Sequence, residues 1–188
     1  MNPAMKGVVF TELLDWIERR HGVLVLDEVL LDAELGHGGA YTSAGSYDWR
    51  EFAAIVRVAA ARTDTAVPEL LRAFGRDLFG VFARRFPGLL GAAPTAFDVL
   101  LGVEECIHRE VRKLHPENEL PLFHAERTPT GLVLEYSSSR PFADLALGLL
   151  EGCLAHFDTE ADVQVSGDER RRRFCITQKE EGACRATR

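Results

Sequence analysis

The sequence predicts an α+β protein, with helices over the first two thirds of the chain and strands plus one further helix over the last third. Three observations carry this expectation. Up to about residue 115 the apolar residues recur at three- and four-residue steps, the period of a helix with one buried face. From residue 120 the period shortens to alternation, as in a strand with one buried face. The chain has 188 residues, 46% hydrophobic and 27% charged, which at roughly 150 residues per domain is enough for one core without disulfide staples. A single domain is expected over 1–182, with a disordered tail over 183–188.

Each element follows from local chemistry. Over 6–20, Val9, Phe10, Leu13, Leu14 and Ile17 mark one helix face, and Gly22, lacking a Cβ, stops the helix. A short second helix is expected over 27–35, closed by Gly36, His37, Gly38 and Gly39. Asp48 and Glu51 form a capping-box-like start to a third, with Phe52, Ile55, Val56 and Ala59 inward. Pro68 suits the first turn of a fourth, which carries Leu70, Leu71, Phe74, Leu78, Val81 and Phe82 and must end before Pro87. A fifth spans 95–115, ahead of Pro116. Two alternating runs between 120 and 138 flank Thr128, Pro129, Thr130 and Gly131, which predicts a hairpin with Leu132, Leu134 and Tyr136 on one face. A sixth helix over 141–157 precedes a second hairpin, 162–165 with 172–177.

Composition narrows the function classes. With 29 acidic against 22 basic residues the formal charge is −7, the wrong sign for a protein that lives by neutralising phosphates, so nucleic acid is not an expected partner. Asp98, Glu104 and Glu151 interrupt the most apolar stretches before they reach the roughly 18 residues that span a bilayer, so no membrane association is expected. The N-terminus carries Glu12, Asp15 and Glu18 and no small-residue cleavage site, unlike a secretory signal. Cys106, Cys153, Cys175 and Cys184 are irregularly spaced without a CxxC pair, which points to reduced thiols and a cytoplasmic protein.

Two constellations could carry chemistry. His108 lies on the largely apolar fifth helix, with Leu101, Glu104, Val111 and His115 near its face. It is either a hydrogen-bonded boundary residue or a ligand, since one imidazole nitrogen can bind iron while the other is held by an acceptor. Tyr136, Ser138 and Arg140, in the run YSSSR, share one face if the strand continues through them. They would then form a donor-rich clamp for a carboxylate or phosphate; the alternative is a polar strand end with a surface salt bridge.

Taken together, IHREVRKLHPENELPLF, YSSSR and the helix containing LGLLEG resemble the heme nitric oxide/oxygen-binding (H-NOX) domain family, and MKGVVF and FGRDLF fit the same pattern. The resemblance runs from Met5 to about Thr177, and its specific part is YxSxR with an upstream histidine. It implies a heme b between an N-terminal helical lobe and a C-terminal lobe with an antiparallel sheet. His108 would be the proximal iron ligand, and Tyr136, Ser138 and Arg140 would bind the propionates. Pro121 in ELPLF matches a proline that packs against and distorts the porphyrin; its other reading is a proline that opens the strand.

Members of this family that hold oxygen use a distal tyrosine as donor, and the matching position, five residues beyond Arg140, is Leu145. Tyr41 and Tyr47 lie in or near the loop before the third helix, and Val9, Leu78 and Phe82 are apolar distal candidates by resemblance. The resemblance therefore implies a sensor of nitric oxide and carbon monoxide that excludes oxygen. In this family nitric oxide weakens the bond from iron to the proximal histidine and frees its helix. With no catalytic output domain expected, the chain is not an enzyme and signals to a separate partner, by resemblance a histidine kinase or a cyclic-dinucleotide enzyme. The main rival is a heme-free module of similar fold that takes a small hydrophobic ligand or mediates association. A peroxidase is disfavoured by the lack of a distal histidine and arginine pair. Zinc, which some relatives bind, is not expected, because Cys153 and Cys175 lack a close cluster. Arg170 to Arg173 read as a docking patch or a solvated hairpin edge, His124 and His156 have no evident partners, and Cys106 is expected to pack.

Overall fold

A computed structural model describes residues 4–90, 93–114 and 119–179. The chain enters through β1 (Ala4–Lys6), which pairs antiparallel with β2 (Ser46–Asp48); α1 (Gly7–His21) and α2 (Val23–Asp32) lie between them. Next come α3 (Trp49–Arg62), α4 (Val67–Arg85) and the single turn α5 (Pro87–Leu90). A helical run in three pieces follows: α6 (Ala96–Gly102), a π-helical segment (Val103–His108) and α7 (Arg109–Leu114). The rest is β3 (Leu122–Thr128), β4 (Gly131–Ser137), α8 (Ala143–His156), β5 (Ala161–Gly167) and β6 (Arg171–Gln178), and the four strands form an antiparallel sheet in the order β3-β4-β6-β5. This is the expected α+β class, and Leu132, Leu134 and Tyr136 lie buried on one sheet face as their alternation requires. No helix among the described residues is long and apolar enough to cross a membrane.

Three local expectations are corrected. The second helix begins at Val23 instead of residue 27, because Gly22, at φ 91°, turns the chain sharply enough to end α1 and start α2 at once. Asp48 caps α3 by accepting from the Arg50 N–H at 2.9 Å, but Glu51 directs its carboxylate to the Tyr41 hydroxyl (2.6 Å) and His37 Nδ1 (3.0 Å). The fifth helix is interrupted. The Arg109 N–H reaches the Glu104 carbonyl, five residues back, and this wider turn re-phases the side chains between α6 and α7. The small β1/β2 pair has too little alternation to be read from sequence; it forms because Ala4, Met5 and Lys6 align with Asp48, Tyr47 and Ser46. The tail over 183–188 lies outside the described residues.

Two apolar clusters make the core. One gathers Phe10, Leu13 and Ile17 of α1 with Phe52 and Ile55 of α3, Phe74 and Leu78 of α4, and Phe142 and Leu145. The other joins Phe79, Phe97, Leu100, Leu134, Leu150 and Phe174 around the inner sheet face. Both α4 and α8 contribute to both clusters, and they meet through glycine. A Cβ placed on Gly148 would lie 2.2 Å from the Arg72 carbonyl oxygen and 2.9 Å from Gly75 Cα; one on Gly75 would lie 2.5 Å from the Leu145 carbonyl oxygen. The helices touch backbone to backbone, and no flexible side chain is there to yield. Gly148→Ala is therefore expected to destabilise the fold by about 1–3 kcal/mol. Thermal unfolding followed by circular dichroism should show the midpoint falling by roughly 2–4 °C per kcal/mol.

Candidate functional site

His108 closes the π segment, and its side chain is 13% exposed. It lines an apolar cavity of about 150 Å³ whose walls include Phe79, Phe82, Ile107, Leu134, Leu149 and Cys153. Its Nδ1 lies 3.2 Å from Glu104 Oε2. The same carboxylate accepts the Phe123 backbone N–H at 3.2 Å and pairs with the Arg112 guanidinium. Burial pushes the His108 pKa below the ordinary imidazole value, against the pull of Glu104 and of a hydrogen bond with the Pro121 backbone. Burial also acts to raise the Glu104 pKa, but Arg112 and the Phe123 N–H outweigh it and hold the carboxyl below its ordinary value. A neutral buried imidazole over an apolar cavity has the chemistry of a metal ligand.

The YSSSR residues come together by a different route from the one the spacing implied. Because β4 ends at Ser137, the three side chains do not share a strand face; Ser138 and Arg140 lie in the bend that leads to α8. That bend folds back on itself. Ser138 Oγ accepts the Arg140 backbone N–H at 3.1 Å. Burial raises the pKa of the Tyr136 phenol against the pull of Ser138, Phe142 and Arg140, and the Phe142 N–H donates to the Arg140 carbonyl at 3.0 Å. Arg140 is 5% exposed, the one charged side chain in the buried class among the described residues. Its Nη2 donates to the Ala4 carbonyl at 2.8 Å and lies 3.9 Å from Glu119, while its Nε has no hydrogen-bond partner. This is not the surface salt bridge that the sequence left open. A buried donor without an acceptor costs about 1–3 kcal/mol, and an anion brought to Arg140 would remove that cost.

The other expected residues are more dispersed. Pro121 directly precedes β3, so it both opens the strand and meets His108 through its backbone. Leu145 is buried in the N-terminal cluster, and it is Ala146, Leu149, Leu150 and Cys153 of α8 that line the cavity. Phe82 lines the cavity, whereas Leu78 and Val9 belong to the N-terminal cluster. The Tyr41 hydroxyl donates to Glu51, and the Tyr47 hydroxyl accepts the Thr42 N–H at 2.8 Å, so both are committed to the β2–α3 corner. Cys106, expected to pack, is exposed, since two residues along the helical run from the inward-facing His108 it lies on the opposite face. His156 does have partners, the rings of Phe79 and Phe157 at 5.7 and 5.0 Å. No group of three or more His, Cys, Asp or Glu placed for a metal ion occurs among the described residues, and His115 and Cys184 lie outside them.

Sequence reasoning missed the parts that hold His108 in place. Glu104 carried a usable signal, the i,i+4 spacing to His108; Phe123 carried none, since its ring reaches His108 (5.5 Å) and Tyr136 (5.4 Å) only through the β3–β4 pairing. The donor set fits a heme: an imidazole for iron, and an orphaned guanidinium with a hydroxyl and a phenol for carboxylates. The volume is smaller than the roughly 300–1,000 Å³ of ordinary ligand pockets, and Tyr136, Ser138 and Arg140 lie outside its lining.

Helices packed on an antiparallel sheet thus hold a buried histidine on an apolar cavity and, outside that cavity's lining, a buried arginine with one unpaired nitrogen. The chain belongs to the Haem-NO-binding family, whose model matches residues 6–165. It is similar to the unliganded Fe(II) H-NOX protein of K. algicida, at 33% identity over 96% of this chain and 100% of that one, with a TM-score of 0.88. The H-NOX protein of Shewanella woodyi, solved in the Fe(II)CO state, matches at 36% identity over 97% and 99% of the chains, with a TM-score of 0.81. That of S. oneidensis in the Fe(II)NO state matches at 28% identity over 94% and 100%, with a TM-score of 0.86. A comparison with curated proteins finds no match.

The cysteines offer a direct check on the packing around the cavity. Cys153 is 1% exposed and burial pushes its thiol up to about 12, whereas Cys106 is open to solvent. At pH 8 a maleimide should label Cys106 promptly and Cys153 only after unfolding, as read by peptide mass spectrometry.

Proposed function

We propose that this chain is a non-catalytic, cytoplasmic sensor, with residues 1–182 as its single functional unit. It binds nitric oxide and carbon monoxide at a ferrous heme b ligated by His108 and signals to a separate histidine kinase or cyclic-dinucleotide enzyme. The observation that carries this is the buried His108 imidazole, held by Glu104 against an apolar cavity. The gases follow the relatives, which include proteins solved with iron-bound nitric oxide and carbon monoxide.

When bound, the heme supplies an iron with a coordination position open to a diatomic gas. His108 holds that iron from the π segment. Arg140, with its orphaned Nε, and Tyr136 and Ser138 beside it take the propionates. Pro121, at the start of β3, packs on the ring. Leu145 offers no hydrogen-bond donor where oxygen-holding relatives have a tyrosine, and the hydroxyls of Tyr41 and Tyr47 are engaged elsewhere. A ligand shifts a conformational equilibrium only through unequal affinity for two states, and the link from His108 through Glu104 to β3 is where such a difference reaches the sheet lobe.

The cavity volume of about 150 Å³ favours one second reading, a heme-free module for a small hydrophobic ligand. Hemin titration separates the two. On the heme reading the protein takes up one equivalent, its ferrous form gives the spectrum of five-coordinate nitrosyl heme, and no stable oxygen complex forms; a protein that stays colourless supports the small-ligand module. His108→Gly should lose normal iron ligation and regain it with added imidazole. Leu145→Tyr should create a measurable oxygen complex, and an oxygen complex already stable in the parent would refute the distal argument. Arg140→Ala should weaken heme affinity by about 1.5–3 kcal/mol, on the order of 10- to 100-fold in a heme-transfer assay.

A further inference from the structure

The geometry points to Glu104 as the residue that positions His108 and sets the strength of its bond to iron, an inference that rests on the heme reading above. Glu104 is a junction between three elements. Its Oε2 meets His108 Nδ1 and the Phe123 N–H of β3, each at 3.2 Å, and its Oε1 meets the Arg112 guanidinium of α7. A histidine that binds a metal through one ring nitrogen donates its other N–H to a fixed acceptor, which orients the ring and raises its basicity as a ligand. Glu104 is the carboxylate placed for that task, and two of its three bonds fix it independently of His108.

Among the described residues the Pro121 backbone also meets the ring as a neutral and weaker acceptor, and the Phe123 ring lies 5.5 Å from it. The two acceptors make different predictions. With Glu104 as the partner, the imidazole gains more anionic character and the iron–histidine bond is stronger than with the Pro121 backbone alone. Arg112 then acts as a regulator of that bond, because its charge draws electron density away from the carboxylate. The bonds to Phe123 and Arg112 also mean that a change at His108 is carried into β3 and α7 without any further side chain.

Resonance Raman spectroscopy of the ferrous, unliganded, heme-loaded chain reads the iron–histidine stretch directly. Glu104→Gln should shift the band to lower frequency and Glu104→Ala further. Both should speed loss of the histidine bond on nitric oxide binding, roughly 10-fold by stopped-flow absorbance. Arg112→Gln, which leaves Glu104 in place, should shift the band the opposite way, an effect that a merely structural role would not produce. If heme content is kept but the band is unmoved in Glu104→Gln and Arg112→Gln, Pro121 is the acceptor and the inference is overturned. If the Glu104 variants fail to fold, the direction of the Arg112→Gln shift decides. A parent that takes up no heme, or whose ligation survives His108→Gly, removes the heme reading itself and this inference with it.

Discussion

The backbone contact between α4 and α8 is the constraint on which the rest of the structure depends. These are the two helices that enter both apolar clusters, so their separation fixes how far apart the clusters lie. Gly75, Gly148 and Gly152 let them meet backbone to backbone, since a Cβ on any of the three would meet backbone or a packed ring-bearing side chain well inside van der Waals distance. The cavity under His108 opens directly beside this contact, walled by Phe79 and Phe82 of α4 and by Ala146, Leu149 and Leu150 of α8. Anything that widens the cavity must therefore act against this backbone contact or displace the other wall, which is the helical run bearing His108.

That second wall is built differently. The π segment replaces one turn of α-helical hydrogen bonding between α6 and α7, and it is held to the sheet by polar contacts, above all the Glu104 carboxylate on the Phe123 N–H. On the opposite side, Arg140 joins the bend after β4 to the Ala4 carbonyl of β1, so a single guanidinium ties the sheet lobe to the start of the helical lobe. Its unpaired Nε is costly in the free protein. Buried polar atoms are nearly always paired in folded proteins, and among the described residues Arg140 Nε is the one buried side-chain N or O atom that is not.

Much of this was legible in the chain alone. The switch from a helical to an alternating period located both hairpins, and YxSxR with an upstream histidine singled out Tyr136, Ser138, Arg140 and His108. Pattern failed where it depends on register or on distant partners. The π segment inserts one residue into a helical turn, a shift that a tolerant apolar period cannot resolve. Gly22 was recognised as a stop, but nothing local showed that it also starts α2.

Composition and spacing thus establish the α+β class, the net negative charge and the candidate residue types, because these depend on short-range periodicity and chemical identity. Folding adds the facts that depend on distance in space. It buries Arg140 and leaves its Nε without a partner, it sets Phe123 between His108 and Tyr136, and it places three hydrogen-bonding groups from separate elements on one carboxylate. Burial and juxtaposition arise only when segments far apart in the chain pack together, and no local pattern encodes them.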